Sequence, residues 1–373
     1  MKIGICGGGV GGLAAAIALR AAGHDVEVYE QAPGFSRVGA DINLTPNAVR
    51  ALDGIGGGVG AAVRRTAARP THRISRMWDT GEETSRLEMA DAAEQRYGAP
   101  QLTIHRADLM AALESELASG TIRTGHRVET VDTDSDGATV RFAEGPDRRV
   151  DLAIGADGIH SAVRTAMFGA ETPTFTGVVS YRAVIPAERL AGHPNLGAFT
   201  KWWGPDPDTQ IVNFPLSRGE EIFVFATTPQ DSWRDESWTM PGDVEELRAA
   251  YRDFVPEARH LLEVCDEVLK SALYVRDPLQ TWISGNRVLL GDACHPMMPF
   301  MAQGAGQAIE DAVVLARCVA DGTDLKAALA QYERNRLPRT ARIQVASRDN
   351  TWMKQPGDAD WVYGYDAWQT PLD

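Results

Sequence analysis

The sequence predicts an α/β protein: a nucleotide-binding β–α–β unit at the start, an antiparallel β-sheet domain inserted into it, and a helical C-terminus. Three observations carry this. A strand, a glycine-rich turn, a helix and a second strand occupy the first thirty residues. Short β-favouring runs separated by Gly, Pro and Asp turns fill the stretch from about 174 to 230. Helical patterning returns after residue 291 and holds almost to the end. At 373 residues the chain exceeds one compact core and fits about two domains.

Lys2 to Cys6 is a β-favouring run that meets a glycine cluster, and Leu13 to Ala22 is an Ala/Leu-rich helix. That helix stops at Gly23, which suits the left-handed position after a helix. Asp25 to Tyr29 is a second strand ending at Glu30. Residues 106–119 read as an amphipathic helix, 122–142 as alternating strands and 150–155 as a short apolar strand. After the inserted β region, 243–269 reads as helix and 287–291 as one more buried strand, with helices to about 319 and over 324–348. The aromatic-rich last twenty residues predict a tail packed on the body, since disordered tails are aromatic-poor.

Composition removes several function classes. A net charge of -14 argues against a nucleic-acid partner, which needs a basic stripe. The four cysteines show no CxxC pair and no metal-ligand spacing, so they predict free buried thiols and no metal site. Glycines 7–12 break the early apolar run where a signal peptide needs continuity, and no run approaches 18 apolar residues. A cytoplasmic protein without a membrane span is expected.

Chemistry enters with Gly7-x-Gly9-x-x-Gly12. Gly7 permits the tight turn, Gly9 lets backbone approach a pyrophosphate, and Gly12 allows close helix–strand packing. The following helix N-terminus offers free N–H groups to phosphate. Glu30, at the end of the second strand, suits ribose hydroxyls and repels a 2′-phosphate, so FAD or NAD is expected there and NADP is not. A dehydrogenase would continue with more βα units. This chain instead carries Arg37-x-Gly39-Ala40, then Ala156-Asp157-Gly158, and later Gly291-Asp292-Ala293-Cys294-His295-Pro296 with Gln303-Gly304-Ala305-Gly306. Asp292 suits a ribityl hydroxyl, and Gly304 to Gly306 can bring N–H groups against a flavin ring.

Together the Gly-x-Gly-x-x-Gly, Asp157-Gly158 and Gly291-Asp292 fingerprints resemble the para-hydroxybenzoate hydroxylase class of flavoprotein monooxygenases over the whole chain. Lys201-Trp202-Trp203, Met301-Ala302-Gln303-Gly304-Ala305 and Trp361-Val362-Tyr363-Gly364 resemble its 6-hydroxynicotinate 3-monooxygenase and salicylate hydroxylase branch. The resemblance implies a Rossmann-like FAD-binding domain (1–72, 98–173 and 273–345), a substrate domain (73–97 and 174–272) and a C-terminal tail (346–373) packed on the body. It adds Arg37, Ala40, Arg106, Val128 and Ala305 to the flavin contacts. It implies NADH or NADPH as a diffusing co-substrate, O₂, and a small electron-rich aromatic substrate. Hydroxylation would run through a flavin C4a-hydroperoxide, with or without loss of a ring carboxylate, in a monomer or homodimer. An epoxidase or oxidase on the same scaffold and a non-catalytic flavin-binding regulator are the rival readings.

The catalytic candidates are Asn43, Asn213, Pro296 and Phe300. The hydroxynicotinate enzymes of the branch carry Gly and His where this chain has Asp41 and Asn43, His where it has Phe300, and Tyr where it has Asn213. A neutral amide cannot act as general base near pH 7, so a neutral phenol, an aniline or a larger bicyclic ring is expected over 6-hydroxynicotinate. His295 is read as ordering its loop near the pyrophosphate. Arg182 is open to two readings, a substrate-carboxylate anchor or an ion pair. Trp202 and Trp203 face opposite sides of a strand. Glu310-Asp311 and the arginines from Arg334 to Arg342 read as solvated helix faces.

Overall fold

The computed structural model describes residues 1–373 except 36–40, 234–239, 321–323, 353 and 355–358, so Arg37 and Ala40 lie outside the described residues. The N-terminal strand Lys2–Cys6 sits in a six-stranded sheet between Asp25–Tyr29 and Leu152–Gly155, all parallel, and Arg287–Leu289 extends it on the Leu152–Gly155 side. Near-continuous apolar runs such as IGIC and LAIG suit a parallel sheet covered on both faces. One cover is the helix Val10–Ala21, which packs on the helix Gly304–Val319. The approach is close enough to require glycine, because a Cβ on Gly11 would stand 2.7 Å from Leu290 Cδ1 and 3.0 Å from Ala308 Cβ. Gly23 ends the first helix with φ +85°, as its position suggested.

The inserted sheet has eight strands in the order 240–242, 268–275, 174–186, 221–229, 210–216, 199–203, 72–77 and 83–88. All its pairings are antiparallel except that of Phe199–Trp203 with His72–Met77, so a segment from early in the chain completes a sheet built mostly from later ones. Its outer face is closed by the short helices Val244–Ala250 and Pro256–Glu263 over Tyr181, Trp202, Ile211 and Val224. The helix expected over 243–269 is corrected here. Pro256, which lacks an N–H and favours a first helical turn, starts a new helix, and the chain becomes strand at Val268. The strand Val268–Val275 also runs past residue 272, where the inserted domain was expected to end.

Glu310, Asp311 and Arg336, read from sequence as solvated, are all fully buried. Arg336 donates to Glu310 and to Asp311, each at 2.7 Å, and to the Gln307 side chain at 2.8 Å. Arg339 adds a second cation to Glu310 at 2.9 Å, Asn47 donates to Glu310 at 2.6 Å, and His295 Nε2 lies 2.5 Å from Asp311. The long helix Leu325–Arg348 supplies both arginines, so this face of it turns inward against Gly304–Val319. The aromatic tail closes over the same region: Arg339 lies 4.0 Å from the Tyr365 ring, and Trp368 Nε1 donates to the Ala51 carbonyl at 2.9 Å. No helix among the described residues is long and apolar enough to cross a membrane.

Arg336→Met would leave Asp311 without its guanidinium and Glu310 with Arg339 as its cation. Removing one partner of a buried pair costs about 3–5 kcal/mol, and a urea unfolding midpoint should fall accordingly with little change in slope. Burial works to raise the Asp311 carboxyl, but His295 and Arg336 overcome it and hold the group at about 2, against an ordinary 3.8. A depressed carboxylate stabilises the fold fully above its unfolded pKa and loses that contribution as pH falls through the folded one. Thermal stability should therefore drop between about pH 4 and pH 2, and Asp311→Asn should flatten that slope.

Candidate active site

Between the parallel sheet and the inner face of the inserted sheet lies a cavity of about 1000 Å³, at the upper end of the range for small-ligand sites. One wall is nucleotide-like. It contains Gly9, Glu30, Arg106, Asp157, Asp292 and Gly304. The other wall is aromatic and cationic. It contains Phe199, Phe214, Phe223 and Phe225 with Arg73, Arg182 and Lys201. The segment Pro296–Phe300 runs along the cavity between the two.

The nucleotide-like wall is built for close backbone approach. Gly7 holds φ +108°, and a Cβ there would stand 2.3 Å from the Ala156 carbonyl, while one on Gly12 would stand 2.0 Å from the Gly7 carbonyl. Gly9 and Gly304 differ: a Cβ on either meets nothing within 4 Å and would project into open space. These two residues stand at the N-termini of the helices Val10–Ala21 and Gly304–Val319, neither of which has a side-chain cap. The first N–H groups of both helices therefore have no intrahelical acceptor. Two positive helix ends opening on one cavity fit a ligand with a pyrophosphate and a polar ring system.

The acidic residues of this wall have distinct jobs. Glu30 accepts from the backbone N–H of Gly8 and of Ala32, both at 2.8 Å, which fixes its carboxylate at the end of its strand. Asp157 accepts from the Ser161 hydroxyl and from Ala162 N–H at 2.8 Å, so it also caps the helix Ala162–Phe168. Asp292 stands out into the cavity. Packing around it raises its carboxyl above the ordinary value, against the opposing fields of His295 and Arg106. His295 itself is buried against Trp282 and tied to Asp311, a position suited to ordering its loop. Cys294, His295 and Asp311 bring three potential ligand atoms within 4.8 Å. Both Asp311 oxygens, however, already accept from Arg336, His295 and Gly291 N–H, so the ion network accounts for the cluster.

On the other wall, strand alternation decides which residues face the cavity. Val212 and Phe214 do; Asn213 between them does not, and sits buried on the outer side with an unpartnered Oδ1. The structure thus does not bring this catalytic candidate to the site. Asn43, Pro296 and Phe300 do line the cavity, as do Gly9, Glu30, Arg106, Asp157, Asp292, Gly304 and Ala305. Gly7 and Gly12 lie just behind it, whereas Val128 lines a separate depression with Arg127 and Ala162.

Sequence reasoning gave no role to the two most unusual groups. Lys201 is buried, donates to Asn350 Oδ1 at 2.7 Å and lies 3.6 Å from the Trp203 ring centroid. Burial, with Arg73 and Lys354 nearby, pushes its ammonium well below the ordinary value. Arg73, also buried, stacks 4.3 Å from the Phe199 ring and donates to the Tyr363 hydroxyl at 3.3 Å. Among the described residues, no carboxylate pairs with either cation. The only sequence signal for Lys201 is a lysine at an inward position of an otherwise uncharged strand, FTKWW. Arg73 carried none, because its register partner Phe199 lies 126 residues further along the chain.

A family described as "FAD binding domain" matches residues 1–347. The chain is 40% identical to 6-hydroxynicotinate 3-monooxygenase of Bordetella bronchiseptica, covering 100% of this chain and 97% of that one. It is 33% identical to 3-amino-4-hydroxybenzoate 2-monooxygenase PtmB3 of Streptomyces platensis, covering 98% and 96%. Among solved structures, Klebsiella pneumoniae HpxO complexed with FAD and uric acid superposes with a TM-score of 0.83 at 27% identity, over 97% of this chain and 90% of that one.

The two kinds of glycine separate fold from binding. Gly9→Val should leave thermal unfolding of the ligand-free protein nearly unchanged but abolish flavin retention, read from the absorbance of the purified protein. Gly12→Ala should lower soluble yield and stability, because its methyl group meets backbone.

Proposed function

Because this chain belongs to the FAD-binding family of flavoprotein aromatic-ring monooxygenases, we propose that it uses NAD(P)H and O₂ to hydroxylate a small aromatic acid bearing a ring hydroxyl or amine. The observation that carries the substrate class is the pair of buried cations, Arg73 and Lys201, without a carboxylate partner among the described residues. A buried charge left unpaired is costly, and a ligand carboxylate would satisfy both. This reading departs from the neutral ring expected on sequence alone. It agrees with two relatives whose names specify 6-hydroxynicotinate and 3-amino-4-hydroxybenzoate.

In this reading Gly7, Gly9 and Gly12 form the pyrophosphate cradle, Glu30 accepts from the ribose, Asp292 holds a ribityl hydroxyl, and Gly304 and Ala305 present N–H groups to the flavin ring. Arg106 stands beside Asp292. When bound, the flavin carries electrons from NAD(P)H to O₂ and delivers one oxygen atom to the substrate ring. The chain's own work is placement and exclusion of water. Phe199, Phe214, Phe223 and Phe225 give the substrate ring an apolar wall, and Pro296 and Phe300 bound it on the side of the loop. Asn43 is held by Gln101, whose Nε2 donates to its Oδ1 at 2.8 Å, and its own Nδ2 has no partner among the described residues. It can therefore donate to a substrate oxygen.

The test is NADH and NADPH oxidation by the FAD-loaded enzyme with 6-hydroxynicotinate, 3-hydroxybenzoate and 3-amino-4-hydroxybenzoate, each beside its methyl ester. Acids should stimulate oxidation with little peroxide released, and esters should not; equal response to esters would sink the acid assignment. Lys201→Met should raise KM for a responsive acid by about 10–100-fold, the value of a charged hydrogen bond. An anion beside Lys201 raises its depressed pKa, so binding takes up a proton, and affinity should weaken as pH rises through the depressed value.

A further inference from the structure

Hydroxylation of a phenol-like ring is helped when a base removes the ring proton, and the aromatic wall must supply that base. The candidates there are few. Asn43 is a neutral amide, Tyr274 is a phenol of the same class as the hydroxyl to be deprotonated, Arg73 and Arg182 are cations, and Lys201 is committed to the cation pair. His105 Nδ1 accepts from Ala107 N–H at 3.2 Å as a helix cap. Glu30, Glu114, Asp157, Asp292 and His160 belong to the nucleotide-like side of the cavity. Asp41 remains.

Asp41 begins the short strand Asp41–Leu44, in which Ile42 and Leu44 pack into the core while Asp41, Ile42 and Asn43 line the cavity. Asp41 pairs in register with His105 on the strand Leu102–His105, and the helix beginning at Arg106 follows directly. Arg182, on the strand Thr174–Pro186, is the charge that acts on it across the cavity. Its carboxylate has no side-chain hydrogen-bond donor among the described residues, only its own backbone N–H. Its remaining lone pairs therefore have the cavity as their outlet.

The sheet also sets the spacing. Arg182, Phe225, Val212 and Lys201 form one cross-strand row. Three inter-strand steps put the backbones of Arg182 and Lys201 roughly 14 Å apart. A cation pair near one end and an Asp–Arg pair near the other leave room for a single ring, bridged by its carboxylate and its hydroxyl.

We propose that Asp41 is the catalytic base that accepts the proton of the substrate's ring hydroxyl, with Arg182 holding the resulting oxyanion. The proposal rests on the aromatic-acid reading above. The ring O–H bond breaks as an Asp41 Oδ–H bond forms, and the electron pair stays on the ring oxygen. One negative charge moves from the carboxylate to that oxygen beside Arg182, so the pocket's net charge is unchanged. Burial, partly offset by Arg182 and the Asp41 N–H, pushes the carboxyl up to about 7, where a base is ionised yet still basic enough to work at neutral pH.

The experiment titrates 4-hydroxy-3-nitrobenzoate bound to the FAD-loaded enzyme, using the colour change of its ring hydroxyl, in wild type, Asp41→Asn and Asp41→Glu. In wild type an ionised Asp41 opposes a second negative charge beside it. In Asp41→Asn, Arg182 acts alone and favours the phenolate. The bound hydroxyl's pKa should therefore fall by about one unit or more in Asp41→Asn, a tenfold or larger change in ionisation, and return toward wild type in Asp41→Glu. An Asp41 that does not face the ring hydroxyl would not move it. Equal pKa values in wild type and Asp41→Asn, with the probe bound to both, overturn the proposal while leaving the aromatic-acid reading intact. No perturbation of either the flavin or the probe spectrum in wild type overturns both.

Discussion

The structure depends most on one buried guanidinium. Arg336 lies between the carboxylates of Glu310 and Asp311, all three out of contact with solvent, and every other part of the network hangs from that triad. Through Asp311 it reaches the Gly291 backbone and His295, which begin the loop leading to Pro296. Through Glu310 it reaches Asn47, at the start of the helix that follows the Asp41–Leu44 strand. Asn47 and Gln307 in turn hold Gln303, immediately ahead of the open helix end at Gly304. A buried ion pair gains little over an apolar packing of the same volume. What it adds is direction: each partner must sit where its lone pairs and protons are met.

That directionality explains how a cavity wide enough for a dinucleotide and a ring can keep a defined shape. The nucleotide-like wall presents unsatisfied backbone donors and open glycines, both of which favour collapse or solvation when no ligand is bound. They are held in place from behind, by buried charges whose partners are fixed on neighbouring helices and loops. The opposite wall obeys a different rule. Its inward residues are set by the two-residue period of the sheet, which brings Arg73, Lys201, Val212, Phe225 and Arg182 to one face and turns Thr200, Asn213 and Val224 to the other.

The legible parts of this protein were those with a local cause. The Gly7–Gly12 turn, the helix stop at Gly23 and the strand ending at Glu30 each follow from the conformational needs of a few neighbouring residues, and all stand where the sequence placed them. The misread parts depend on distant partners. Glu310-Asp311 and Arg334 to Arg342 look like ordinary amphipathic charge until two helices are laid together and their charges meet in the interior. Asn213 was a site candidate because the hydroxynicotinate enzymes carry Tyr there, but one step along a strand reverses the face. The helix expected over 243–269 gave way at Pro256 and again at Val268, where sheet pairing outweighed helical patterning.

By itself, then, the sequence determined the cofactor class, the β–α–β cradle and the presence of an inserted sheet, because glycine spacing and residue periodicity are constraints that act within a few residues. Only the tertiary structure decided which charges are buried and what they face. Among the described residues Arg73 and Lys201 are cations with no carboxylate, and Asp41 an acid with no side-chain donor, because strands from residues 41–44, 72–77 and 199–203 are folded around one cavity. The cost of removing a charge from water depends on everything within a few ångströms, and residues far apart in the chain supply most of that surrounding.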